Sequence, residues 1–182
     1  CFYWLYANTN ISKLEGFIND LLDVSRIQAG KLKLHKETFN FDTLVKETVE
    51  SMNHTAMEHT INFEGSSGVV LEADRGRIEQ VIINFINNAI KYSPQSFKVW
   101  VLVKKTDKHV QLSVIDSGIG IPVNKVDKIF DRFFRIEEQS NHISGLGIGL
   151  NICRDIIKMH QGEIGVDSME GKGSTFYFRL PI

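Results

Sequence analysis

The sequence is poor in cysteine and carries almost no net charge. It has two cysteines, Cys1 and Cys153, which are too few and too far apart to indicate a disulfide framework or a zinc cluster. The 21 basic and 22 acidic residues nearly cancel, so no overall basic field points to nucleic acid as a partner. Any anion must therefore be bound by a local group of residues, and a reducing cytoplasm is the expected environment.

Several signatures of other protein classes are also missing. No apolar run approaches the roughly 18 residues that span a bilayer, and no cationic stretch precedes an apolar segment with a cleavage site, so we expect no membrane contact. The six histidines lack the spacing of metal ligands. The Gly-x-x-x-x-Gly-Lys-Ser/Thr loop is absent, which excludes the commonest phosphate cradle.

The N-terminal part of the chain predicts a helix from Ile11 to Ala29, ended by Gly30. Its broad apolar stripe requires a partner helix and consists of Leu14, Phe17, Ile18, Leu21, Leu22 and Val24. The abrupt change of pattern at Lys31 favours a separate helical element, although packing on the rest of the chain is the alternative. We therefore divide the chain into 1–30 and 31–182, and residues 1–10 stay unassigned.

The pattern after Lys31 changes to short strands and amphipathic helices without strict β-α-β alternation. This order predicts an α+β two-layer sandwich, in which a mixed and largely antiparallel sheet carries helices on one face. We expect helices at 42–58, 77–91, 126–134 and 149–160, and strands at 33–39, 61–63, 69–71, 97–104, 110–115, 164–166 and 175–180.

Four short motifs follow one another in the second part of the chain. Each is weak alone, because a Gly-x-Gly is usually a turn and an Asn pair on a helix usually faces solvent. Together they predict a nucleotide pocket, since glycines let the backbone approach phosphates and amides at a helix start bind anions. The motifs are Asn84-Phe85-Ile86-Asn87-Asn88 with Lys91-Tyr92, Asp116-Ser117-Gly118-Ile119-Gly120, Gly145-Leu146-Gly147-Ile148-Gly149 and Gly171-Lys172-Gly173-Ser174-Thr175.

The first motif places two amides and an ammonium in line on one helix face. Asn84, Asn88 and Lys91 follow at i, i+4 and i+7, opposite an apolar face. A carboxamide oxygen suits Mg²⁺, and a Lys suits a phosphate. A solvent-exposed polar face remains the alternative.

The other motifs supply the remaining parts of such a pocket. Asp116 ends an apolar strand, where a carboxylate can accept from the exocyclic amine of adenine; a plain Asp-Ser-Gly turn is the alternative. The segment Gly145 to Gly149 opens a helix whose free amides favour an anion. The long stretch from Gly120 to Gly145, polar at Glu137 to His142, looks like a mobile lid, and one of its two arginines, Arg132 or Arg135, can reach a terminal phosphate when the lid closes.

These motifs, with the aromatic segment Phe130 to Phe134 between the second and third, resemble the N box, the F box and the three G boxes of the sensor histidine kinase ATP-binding domain. That domain belongs to the Bergerat ATPase superfamily. The likeness covers Lys31 to Ile182. The segment Ile11 to Gly30, with Asn19-Asp20-Leu21-Leu22-Asp23-Val24-Ser25-Arg26, looks like the second helix of the kinase dimerisation and phosphoacceptor domain.

The resemblance implies ATP and Mg²⁺ as ligands and assigns a role to each motif residue. Asn88 would be the metal ligand, Asp116 would bind adenine with help from Thr175 through water, and Arg135 would approach the γ-phosphate. The implied catalytic residues are Asn84, Lys91 and Arg135. The implied nucleotide-binding residues are Asn84, Asn88, Lys91, Tyr92, Asp116, Gly118, Gly120, Gly145, Leu146, Gly147, Ile148, Gly149, Leu150 and Thr175.

The same resemblance implies phosphoryl transfer to a histidine, a homodimer formed through a helical bundle, and a response-regulator receiver domain as a partner. The location would be cytoplasmic, either as a cytoplasmic protein or as the cytoplasmic part of a membrane-anchored bacterial sensor. Leu146 stands where many relatives carry Thr or Ser. No His is followed by Glu and a nearby Pro, so we expect a fragment that lacks its own acceptor and does not phosphorylate itself.

Two alternatives stay open at this stage. One is a hydrolytic ATPase similar to gyrase or the mismatch-repair proteins, which usually place Glu where Asn84 stands; Asn cannot act as that base. The other is a degenerate nucleotide-binding scaffold that docks helices through its N-terminal stripe. Magnesium-dependent ATP affinity separates the scaffold from an enzyme.

Overall fold

A computed structural model of the protein describes residues 21–56, 59–94, 96–136 and 146–182, together with Leu14, Gly16 and Ile18. A helix that we label α1 covers 21–28 and is helical also at Leu14, Gly16 and Ile18. The elements that follow are β1 (Glu37–Asn40), α2 (Phe41–Thr55), β2 (Thr60–Glu64), β3 (Val70–Ala73), α3 (Arg75–Lys91), β4 (Lys98–Lys105), β5 (His109–Asp116), a 3-10 helix (Val123–Lys128), α4 (Gly149–Met159), β6 (Glu163–Met169) and β7 (Gly173–Pro181).

The centre of the fold is a five-stranded sheet in the order β2-β4-β5-β7-β6. Strands β2 and β4 run parallel, and the other neighbours are antiparallel. Side chains alternate along β4, where Val99 and Val101 are buried and Trp100 is exposed. The described helices pack on the buried face. The predicted α+β sandwich with a mixed sheet is therefore confirmed.

Helices α2 and α3 pack their predicted apolar faces on this sheet. Leu44 and Val45 of α2 are fully buried, as is Phe85 of α3, whose ring lies 5.5 Å from that of Phe176 on β7. Apolar residues three and four apart form one face of a helix, which explains why the periodicity located the core. Asp74 caps α3 by accepting from the Arg77 amide at 3.1 Å.

Helix α1 contacts the start of α3 through a buried ion pair. The two guanidinium Nη atoms of Arg77 donate to the two carboxylate oxygens of Asp23, and Gln80 Nε2 donates to Asp23 Oδ2 at 3.1 Å. Val24 beside it is also buried. The rest of the described apolar stripe, in contrast, is exposed. Each of its four side chains is 47–59% accessible to solvent: Leu14, Ile18, Leu21 and Leu22. The division into 1–30 and 31–182 stays a prediction.

Three expected boundaries were wrong. The strand expected at 33–39 begins only at Glu37, because its partner β3 is four residues long. The helix expected at 126–134 is a 3-10 helix that ends at Lys128, and Phe133 has φ of 61°, which an α-helix does not allow. The helix expected at 42–58 ends at Thr55.

Candidate functional site

A cavity of about 220 Å³ lies between α3, the end of β5 and the start of α4. It brings together residues of all four motifs and of the aromatic segment, which are far apart in the sequence. The predicted site residues that line it are Asn84, Asn88, Lys91, Tyr92, Asp116, Gly120, Arg135, Leu146, Gly147, Ile148, Gly149 and Leu150. Gly145 and the lid segment Glu137 to His142 lie outside the described residues.

The α3 side of the cavity presents two joined amides. Asn88 Nδ2 donates to Asn84 Oδ1 at 3.1 Å, because residues four apart face each other on a helix. Asn84 therefore uses its carbonyl oxygen within the helix, whereas the carbonyl oxygen of Asn88 remains available to the cavity. An oxygen ligand of this kind suits a hydrated Mg²⁺.

Two cationic side chains line the cavity near the end of α3. Burial lowers the pKa of Lys91, and the positive charge of Arg135 lowers it further. The Lys91 ammonium lies 5.0 Å from the ring centroid of Tyr92. Burial raises the pKa of the Tyr92 hydroxyl, and Arg135 acts in the opposite direction. Two partly desolvated cations that repel each other favour a polyanionic ligand, because such a ligand relieves the repulsion.

Asp116 is the carboxylate among the described residues that line the cavity. Its Oδ1 accepts from the Gly118 amide at 2.8 Å and from the Ser174 amide at 3.3 Å. Burial raises the pKa of this carboxyl group, while the two amides and the neighbouring Ser93 hydroxyl act to lower it. Gly118 supports Asp116 but does not line the cavity. The position requires glycine, because a Cβ there would lie 2.1 Å from the Tyr92 carbonyl oxygen.

The structure places Ser174, and not Thr175, in the cavity wall. Ser174 pairs with Asp116 across β5 and β7, and both side chains are buried. Thr175 pairs with Ile115, and successive side chains of a strand point to opposite faces. The pairing of β7 with β5 determines which of the two side chains faces the cavity, and the sequence motif alone does not reveal that pairing.

The glycine-rich segment before α4 completes the wall. No side chain caps α4 at Ile148, so the first amides of the helix remain available to an anion. Gly147 has φ of 71°, and its carbonyl oxygen accepts from the Phe133 amide at 2.9 Å. Gly149 is required by close packing, since a Cβ there would lie 2.4 Å from Asn84 Nδ2.

The apolar walls of the cavity were not assigned from the sequence. They contain Ile121, Ile129, Phe134, Ile136 and Phe176. The aromatic segment gave one signal, because Phe130 to Phe134 stood out between two glycine motifs. Isolated isoleucines give none, since the same residues fill any core.

Two other kinds of site were tested on the described residues. They contain no group of three or more His, Cys, Asp and Glu side chains able to hold a metal ion. None of the helices described is long and apolar enough to cross a bilayer.

Comparison with known proteins identifies the domain. Residues 73–182, more than half of the chain, match the family model described as histidine kinase-, DNA gyrase B-, and HSP90-like ATPase. The adaptive-response sensory kinase SasA of Crocosphaera subtropica is 37% identical over 171 residues, which are 91% of this chain and 44% of that protein. The sensor histidine kinase WalK of Bacillus subtilis is 34% identical over 184 residues, or 98% of this chain and 30% of WalK.

A solved structure agrees with these relatives. Full-length ShkA in complex with AMPPNP superposes with a TM-score of 0.78 at 27% identity, covering 93% of this chain and 36% of ShkA. The chain thus spans less than half the length of each of these three relatives. It belongs to the histidine kinase-, DNA gyrase B-, and HSP90-like ATPase family, as the ATPase domain of a sensor histidine kinase.

Proposed function

We propose that this domain binds Mg-ATP and positions the γ-phosphoryl group for transfer to a histidine of a dimerisation domain, from which it passes to an aspartate of a response regulator. One observation carries the proposal: a single cavity is lined by a buried carboxylate, by two cations and by the free amides that start α4, so it offers both an acceptor for a base and a positive region for phosphates. ATP has the matching polarity, with an amine on its base and a polyanionic tail.

The carboxylate end suits adenine. Because Asp116 Oδ1 is occupied by the Gly118 and Ser174 amides, its Oδ2 is the oxygen that accepts from the exocyclic amine. Ser174 takes the place that the sequence assigned to Thr175 beside the base. The apolar side chains between the two ends, Ile121 and Phe176 among them, would contact the faces of the purine.

The cationic end suits the triphosphate and its metal ion. Lys91, Arg135 and the amides that start α4 would hold the phosphates, while Asn88 supplies a carbonyl oxygen to Mg²⁺. The donor set fits this ion, because Mg²⁺ prefers oxygen ligands and keeps most of its waters. When bound, the ion neutralises phosphate charge. The side chains themselves contribute positioning and charge stabilisation, which is the main protein contribution to phosphoryl transfer.

Transfer is favoured over hydrolysis by the absence of a suitable base. Among the described residues that line the cavity, Asp116 is the one carboxylate, and its Oδ1 already accepts from two backbone amides. Asn84 occupies the position where hydrolytic relatives would need a carboxylate, and an amide cannot take a proton from water.

The exposed stripe of α1 supports a homodimer in the complete kinase. Leu14 is 59% exposed and Ile18 is 49% exposed, and apolar side chains at helical spacing are typical of a four-helix bundle. The resemblance to the dimerisation domain supports the same partner. We place the kinase domain in the cytoplasm, together with the response regulator.

The test is a transfer reaction with ATP radiolabelled in its γ-phosphate. We expect no label on this chain alone, and an acid-labile, base-stable label on a separately purified dimerisation domain that carries an acceptor histidine. Free phosphate released without an acceptor would support the hydrolytic alternative. An acid-labile label on the chain alone would show that one of its own histidines is an acceptor.

A calorimetric titration of Asn88→Ala tests the metal assignment. The variant should bind ATP with no dependence on Mg²⁺. Asn87→Ala, an exposed position on the same helix, makes the same change in helix propensity and should keep the dependence. If the parent chain binds no ATP at all, both the proposed transferase function and the alternative of a nucleotide-binding scaffold are wrong.

A further inference from the structure

Ser168 on β6 lies at the centre of a small, partly buried hydrogen-bond network behind the cavity. It is the cross-strand partner of Ser174 on β7. Its Oγ donates to the Gly173 carbonyl oxygen at 2.9 Å, accepts from the Ile121 amide at 2.9 Å, and lies 2.9 Å from Ser174 Oγ. Ser168 does not itself line the cavity, whereas Ile121 and Ser174 both do.

Counting protons in this network fixes the direction of the Ser168–Ser174 bond. A serine hydroxyl has one proton and two lone pairs. The Gly173 carbonyl can only accept, so the proton of Ser168 is used there, and one lone pair receives the Ile121 amide. The remaining lone pair faces Ser174, so Ser174 must be the donor in the bond between the two hydroxyls.

Ser174 therefore has no proton left for the cavity. Its lone pairs can only accept, and the neighbouring Asp116 carboxylate is also an acceptor. A base that carries an amine at this end is favoured. A base that carries a carbonyl oxygen there meets acceptors alone, and a polar group without a partner is costly when buried.

We propose that Ser168 is a positioning residue that determines base specificity: by taking the proton of Ser174, it makes the base end of the cavity accept only, and so selects adenine against 6-oxopurines. The inference rests on the proposed ATP binding and extends it to a residue outside the cavity wall. The fixed direction holds only while Ser168 keeps its hydroxyl, because a Ser174 hydroxyl without that acceptor can rotate and donate to the base.

The experiment measures the dissociation constants of ATP and inosine triphosphate, which carries a carbonyl oxygen at position 6, by calorimetry. We expect Ser168→Ala to lower the preference for ATP by roughly three- to tenfold, the range expected for one neutral hydrogen bond. Ser168→Thr keeps a hydroxyl and should retain the preference. Ser113→Ala is the matched control, because this buried serine bonds Gln111 on the opposite face of the sheet and should leave the ratio unchanged.

A double variant tests whether Ser168 acts through Ser174. Ser174→Ala should also lower the preference, and adding Ser168→Ala to it should change the ratio no further. Ser174→Ala keeps the inference testable if Ser168→Ala does not fold. Equal weakening of both nucleotides in Ser168→Ala would overturn the inference and leave ATP binding intact, since a purely structural role moves both constants together. Failure of the parent chain to bind ATP would instead overturn the proposed function.

Discussion

Replacing Asp116 by Asn separates the structural and the binding roles of the buried carboxylate. The side-chain carbonyl of Asn can still accept from the Gly118 and Ser174 amides, which now bond Oδ1. The second position becomes an NH₂ group, which opposes the amine of adenine. The variant should therefore fold and lose a charge-assisted hydrogen bond of roughly 1.5 to 3 kcal/mol. That loss corresponds to an ATP affinity weaker by about ten- to 150-fold.

The same variant should be at least as stable as the parent at neutral pH. Burial raises the pKa of Asp116 above its ordinary value, so the folded chain holds this proton more tightly than the unfolded chain. Stability then falls as the pH rises from the ordinary carboxyl value through the raised one. At pH 7 the parent carries the cost of a buried charge, which Asn removes. The advantage of the variant should shrink as the pH falls toward 4.

Calorimetry and thermal unfolding together check both expectations. The affinity of the variant for ATP should fall, its affinity for inosine triphosphate should fall less or rise, and its melting temperature at pH 7 should not drop. Asp167→Asn is the control, because this exposed carboxylate lies on the neighbouring strand β6. Unchanged ATP affinity would refute the adenine assignment. Lost affinity with a lower melting temperature would mean that Asp116 acts through the fold.

Two further predictions concern attachment and stability. Asp23→Ala should remove the ion pair with Arg77 and raise the rate of amide hydrogen exchange across 21–28. The loss of stability should be roughly 2 to 3 kcal/mol, below the full range for a buried pair because Arg77 still reaches solvent. An unchanged exchange rate would contradict the contact. Burial acts to raise the pKa of Asp42, but hydrogen bonds from Ser67 and Gly68 outweigh it and hold that pKa low. The stability that Asp42 provides is therefore fully present above the ordinary carboxyl pKa and disappears as the pH falls through the lowered pKa. Asp42→Asn should lower the melting temperature at pH 7 by about 2–4 °C, a loss of about 1 kcal/mol for a partly buried group that water still screens. It should also flatten the dependence of the melting temperature on acid pH, whereas an unaltered acid profile would exclude this role.

Periodicity predicted the fold well where one face of an element is buried. The amphipathic pattern of α2 and α3 predicted one buried face on each helix, and Leu44, Val45 and Phe85 on those faces are fully buried. The reason is physical: a helix that packs on a sheet must gather its apolar side chains on one face, and that face can be read from the order of residues. The mixed sheet followed from the order of strands and helices.

Contacts between distant residues could not be predicted in the same way. The partner of Asp23 is Arg77, 54 residues away, and no local pattern links the two. The prediction of Thr175 in the cavity, where the structure has Ser174, failed for a related reason. A shift of one residue along a strand moves the side chain to the other face of the sheet. Phe133 was expected in a helix, yet its amide bonds the Gly147 carbonyl, a partner that only the folded chain provides.

The part of the cavity to which we assign the base and the part to which we assign the phosphates are held by different elements of the fold. The base end stands on the β5–β7 ladder, where Asp116 and Ser174 are cross-strand partners in a sheet that continues on both sides. The phosphate end includes Gly147, which is joined to the segment before it through the amide of Phe133, an exposed residue with φ of 61°. A bulky residue in that conformation costs about 1–2 kcal/mol. Because the strain at Phe133 lies beside Gly147, at the end to which we assign the phosphates, a rearrangement there can relieve it without disturbing the β5–β7 ladder, to which we assign the base.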